Sequence, residues 1–169
     1  AEILRYATTH DDVEGESSSL DDYISRMPED QTTIYYVSAD TPAAAAGSPH
    51  LEIFKKKGIE VLLMGHPIDE WVVSNLTEYK EKTLQSVAKG ELDNLKDEED
   101  SESKDQEKEL KPVLKKLGKV LEDKVKEVRF TNRLTDSPAC LVADENDMGA
   151  NLERILKAAG QDAPTSKPI

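Results

Sequence analysis

Three histidines, one cysteine and two pairs of adjacent aspartates are the residues of this chain best suited to chemistry, and their spacing supports little of it. His10, His50 and His66 are scattered, with no HExxH pair and no cysteine set beside them, so the sequence spells out no catalytic zinc arrangement. Each histidine reads as a surface or capping residue. Asp11–Asp12 and Asp21–Asp22 are neighbours along the chain, which does not aim two carboxylates at one substrate bond. The second pair suits the positive start of a helix. Ser48 and Ser137 each precede a proline and lack the G-x-S-x-G surroundings of a nucleophile. AAAAGS and KLGKV hold fragments of glycine-rich wording without a complete phosphate loop, and the acidic run lacks the residue order of a calcium loop. These residues predict no catalytic, cofactor or metal site, and the chain by itself is expected not to be an enzyme.

Two apolar features are better suited to binding. Trp71 is the only tryptophan, and it follows Pro-Ile-Asp-Glu at the start of a helix, where a side chain can stay partly exposed. An indole at a surface can anchor another protein, although a core position is the ordinary alternative. Met148, Leu152, Ile155 and Leu156 are spaced i, i+4, i+7 and i+8, so they share one helical face that must cover something. That face either packs on its own sheet or is offered to a partner, for which methionine's flexibility is useful.

The elements that position these residues can be read along the chain. Ser19 is a plausible N-cap for LDDYISRM, which Pro28 stops. TTIYYVSA, residues 32–39, has the β-branched and aromatic content of a buried strand. Asp40 and Thr41 can cap a short alanine helix with Pro42 in its first turn. SPHLEIFKKKG predicts a second helical piece ending at Gly58, with three lysines at its negative end. IEVLLMG predicts a strand, PIDEWVVSNL a helix and TLQSVAKG a further strand. This alternation predicts an α/β fold, a small sandwich with parallel pairings.

From Glu91 to Glu109 apolar content almost vanishes, the mark of a flexible linker or a solvated helix. Beyond it, LKPVLKKLGKVLEDKV sets Leu110, Val113, Leu114, Leu117 and Leu121 on one helical face. VKEVRFTNRL alternates as a half-buried strand does, SPACLVA reads as a short strand, and DMGANLERILKAAG as an amphipathic helix. The second half therefore predicts an incomplete α+β piece. The divisions expected are residues 1–95, a link over 96–110, and 111–169.

Composition narrows the partners. Among 169 residues 34% are charged and the net charge is −13, a balance opposed to nucleic-acid or anionic-membrane binding, both of which need a basic surface. No apolar run approaches the roughly 20 residues of a membrane span, and the first residues have no signal-peptide pattern. One cysteine cannot form an internal disulfide, which fits a reducing compartment, and a cytoplasmic location is expected.

YYVSAD, SPHLEIFKKKGIEVLLM, IDEWVV, RLTDSPACLV and NLERILKAAGQ follow one another in register. Together they resemble the heat-shock protein 90 chaperone family, most closely its bacterial branch, over nearly the whole chain. The resemblance implies a piece of a three-domain, homodimeric, ATP-dependent chaperone that binds partly folded client proteins. Residues up to about Leu95 would end its middle domain, and those after about Leu110 would begin its C-terminal domain. ATP and magnesium would be held in parts of the family's proteins outside this chain, as would the dimerisation helices, so this piece is expected to be monomeric. The implied client-contacting residues are Glu70, Trp71 and Ser74 with Met148, Leu152, Ile155 and Leu156. Ser74 and Ile155–Leu156 stand where a bacterial member has asparagine and a leucine-phenylalanine pair. An alternative, a small nucleotide- or phosphate-binding enzyme, would place its ligand beyond the strand ends near Ala39–Asp40 and Gly65–His66. A third reading, a structural linker, would bury both apolar features.

Overall fold

A computed structural model describes residues 2–90, 92, 101–145, 147–161 and 167–169. Strands β1 (Ala7–Thr8), β2 (Thr33–Ser38), β3 (Leu62–Met64), β4 (Glu78–Tyr79) and β5 (Lys82–Ser86) form one sheet in the order β1-β3-β2-β5-β4. The central pairs β2–β3 and β2–β5 are parallel, and the outer pairs β1–β3 and β4–β5 are antiparallel. Helices α1 (Leu20–Arg26), α2 (Pro42–Ala46), α3 (Glu52–Lys57) and α4 (Pro67–Asn75) lie between the strands in sequence, and the class is α/β.

Alternation along the central strands builds two cores. Tyr35, Val37, Val61 and Leu63 pack with Ala45, Leu51, Ile53 and Phe54 from the α2–α3 side. Ile34, Tyr36, Leu62 and Met64 pack with Leu20 and Tyr23 of α1, joined at the edge by Val73 and Leu76 of α4 and its exit. A sheet buried on both faces explains why β2 reads TIYYVS with no polar alternation.

Local chemistry sets the ends. The Ser19 hydroxyl accepts from the Asp22 amide at 3.1 Å, while the Asp22 carboxylate accepts the Ser19 amide at 2.9 Å. This reciprocal box goes beyond the single cap read from the sequence. Gly58 closes α3 at φ 66°, a left-handed conformation that glycine adopts without cost, and the Ile59 amide donates back to the Phe54 carbonyl at 2.9 Å. Tyr23, buried under β2, donates to the Glu60 carbonyl at 2.6 Å and accepts from the Tyr35 amide at 3.2 Å.

Several expectations need correction. The helix predicted over 48–58 is a 3₁₀ turn, Pro49–Leu51, followed by α3. Residues 125–134 are not a strand: Val128 and Phe130 are half-buried as their alternation implies, and Val125, out of step with them, is half-buried too, but no ladder forms along them. The segment 137–143 forms no strand; it makes an isolated bridge, Ala143 to Lys89, and Val142 exchanges backbone bonds with Ile169 at 2.9 and 2.7 Å. Side-chain alternation records which residues turn inward; a strand also needs a neighbour for its backbone. Helix α5 (Ser101–Leu121) begins inside the acidic run and continues across residue 110. Glu91 and residues 93–100 of the acidic run, among them 96–100 of the expected link, lie outside the described residues. On α5, Leu114 and Leu121 are half-buried while Leu110, Val113 and Leu117 are exposed. Helix α6 (Ala150–Ala158) matches the predicted amphipathic segment.

Candidate binding surface

Pro67 occupies the first turn of α4, where its missing N–H costs nothing, and the Asp69 carboxylate accepts the His66 amide at 3.0 Å. Burial pushes the Asp69 carboxyl above its ordinary range. This start turns Asp69 and Glu70 inward and leaves Ile68 and Trp71 outside, Trp71 being 49% exposed.

Helix α6 packs on α4. Asn151 Nδ2 donates to Glu70 Oε1 at 2.8 Å, Arg154 Nη2 donates to Asn151 Oδ1 at 3.1 Å, and Arg154 pairs with Asp40. The start of α6 is held separately: Lys89 Nζ donates to the Asp147 carbonyl at 2.9 Å, and Lys89 Cε lies 3.3 Å from where a Cβ on Gly149 would be. The predicted site residues from the two halves of the chain are thus brought to neighbouring helices. Met148, Leu152, Ile155 and Leu156 are each half-buried. Glu70 is buried and engaged by Asn151; the exposed Ser74 donates to the Glu70 carbonyl at 2.6 Å. Asn151, Arg154, Asp40 and Lys89 are positioning residues that the sequence reading missed. Polar residues on a solvated helix face carry no signal for a partner so far along the chain.

The histidines correct one expectation. His66 pairs with Glu16 at 2.6 Å and His10 Nδ1 accepts the Asp12 amide at 3.2 Å, both at or near the surface. His50 is instead buried, with Nδ1 unpartnered. Desolvation first, and the nearby Arg133 guanidinium second, hold its imidazole down at about 4. The folded state therefore keeps His50 neutral where the unfolded chain takes a proton. Its contribution to stability is complete above about pH 6.5 and declines as pH falls towards 4, by about 1.4 kcal/mol per pH unit. Urea unfolding of the wild type and of His50→Gln over this interval should show a shallower pH slope in the variant. Equal slopes would contradict this.

The strand ends suggested for a nucleotide are occupied by the chain itself: Gly65 abuts the Thr41–Pro42 turn, and Asp40 is taken by Arg154. Among the described residues no His, Cys, Asp and Glu cluster is arranged to hold a metal ion, and no helix is long and apolar enough to cross a membrane.

The family model described as Hsp90 protein matches residues 1–168. The chain belongs to the Hsp90 family. Among Hsp90-family relatives, Chaperone protein HtpG of Aromatoleum aromaticum is 59% identical across the whole of this chain, which covers 26% of that protein. The proteins of the same name from Burkholderia cenocepacia and Legionella pneumophila are 55% and 53% identical, each again across the whole chain and 27% of the relative. The chain thus spans about a quarter of the length of these relatives.

Proposed function

We propose that this chain supplies a client-binding surface to an ATP-dependent chaperone. The observation that carries the reading is the seat of α6 against α4, with a half-exposed tryptophan beside the bond that joins them. Trp71 provides the large amphipathic contact. Met148, Leu152, Ile155 and Leu156 provide the apolar side opposite, Ser74 a polar rim, and Glu70 the carboxylate that ties the halves together. Such a surface on an acidic body holds partly unfolded, positively charged chains weakly and discourages self-association. Membership of a chaperone family supports the same reading.

In the whole protein we place residues 1–95 at the end of a middle domain and 111–169 at the start of a C-terminal domain, joined through 96–110. ATP and magnesium are bound elsewhere, the assembly is a homodimer, and the location is cytoplasmic. The test is direct. Trp71→Ser combined with Ile155→Ser should weaken binding of a destabilised, basic client by about tenfold, the loss expected for two surface anchors. The unfolding midpoint should move little. Unchanged client affinity would exclude the surface.

A further inference from the structure

The densest set of polar contacts between the sandwich and the later residues lies away from that surface, on a single carboxylate. Glu52 stands in the first turn of α3, beside the buried Ile53 and Phe54. Its oxygens accept the backbone amides of Thr135 at 2.6 Å, Asp136 at 2.9 Å and Ser137 at 3.2 Å, as well as the Ser137 hydroxyl. Three successive N–H groups converging on one point form a nest, an arrangement that elsewhere receives free anions. Here a side chain more than eighty residues away in sequence fills it. The donors hold the Glu52 carboxyl down at about 2, so it stays ionised throughout the neutral range.

The contact is answered from the other side. Arg133 donates to the Val87 carbonyl at 3.2 Å and to the Gly90 carbonyl at 2.7 Å. Between the two anchors the backbones meet: Gly90 donates to Ala143 at 2.9 Å and Ala143 to Ala88 at 3.0 Å. By contrast, the polar contacts described between α6, with its approach, and the sandwich are a side-chain bond from Asn151, one from Lys89 to Asp147 and an ion pair whose members are more than half exposed. Exposed pairs of that kind contribute little. The described side chains of α5 are largely exposed, with Leu114 and Leu121 half-buried.

We propose that Glu52 is the pin that seats residues 133–143 on the sandwich, so that removing its charge parts Gly90 from Ala143 and frees α6 from α4. The four bonds to Thr135, Asp136 and Ser137 depend on one group, so they fail together. The pin does not rest on the client-binding reading. Because its partners are neutral backbone amides, added salt should weaken it less than a surface ion pair.

Amide exchange of the full chain tests it. Glu52→Gln keeps the side chain's shape but removes the charge. Exchange at Thr135, Asp136 and Ser137 should accelerate about tenfold or more, with a comparable rise at Gly90 and Ala143, while Tyr35–Val37 in the core stay protected. Glu52→Asp, one methylene short, should fall between. Acceleration confined to 135–137, with Gly90 and Ala143 unchanged, would overturn the proposal and reduce Glu52 to a local loop contact. If Glu52→Gln loses core protection, Ser137→Ala removes one donor only. A rise at Gly90 and Ala143 in that variant, with the core intact, supports the pin, and no rise overturns it.

Discussion

Gly65→Ala is expected to lower the stability of the fold by about 3 kcal/mol or more. A Cβ at this buried position would sit 2.2 Å from the Pro42 nitrogen and Cδ and 2.6 Å from the Thr41 carbonyl carbon. The neighbours are backbone and a proline ring, which cannot swing aside as a long side chain would. Relief would require α2 to lift from the end of β3, and with it the Ala39 amide that donates to the Met64 carbonyl at 3.0 Å. Urea unfolding followed by Trp71 emission and by circular dichroism measures this. A loss below about 1 kcal/mol would mean that the Thr41–Pro42 turn yields freely.

The second large effect is expected at Phe54. Its side chain is completely buried and meets the Tyr35 ring edge-on, with centroids 4.8 Å apart and planes at 62°. Phe54→Ala removes that contact and opens a cavity between α3 and β2, at a cost of about 3–5 kcal/mol. Because Phe54 seats the helix that carries Glu52, exchange should accelerate both in the core strand and at Thr135–Ser137. Glu52→Gln should spare the core strand. Comparing the two variants separates the strength of α3's seat from the contact it makes outward. Protection at Tyr35–Val37 surviving Phe54→Ala would show that the helix is held by other residues.

Legibility in the sequence followed the range of the interaction. Strand β2, the Ser19 cap, the Gly58 stop and the proline start of α4 are local events, and each could be read from a few adjacent residues. Trp71 and the α6 stripe were recognisable as apolar residues in unusual positions, yet the seat of α6 on α4 includes Asn151 reaching Glu70. No periodicity encodes that. Glu52 is the sharper case: within EIFKKK it looks like an ordinary acid in a helix's first turn, and its partners are backbone amides, which every residue but proline carries. The strands expected from alternation over 125–134 and from the apolar run over 137–143 failed for the converse reason, since the side-chain pattern supplied no ladder.

The short outer strands have a consequence for proteins of this kind. Each edge of the sheet is only two residues long, β1 on one side and β4 on the other, and both run antiparallel to the parallel centre. An unfolded polypeptide in extended form can lengthen any sheet that offers an unpaired row of amides and carbonyls. Here such a strand finds two residues of register and then a turn. With so little exposed ladder, the sheet is a poor template for strand addition at either edge, and another chain that meets it is left to side-chain contacts.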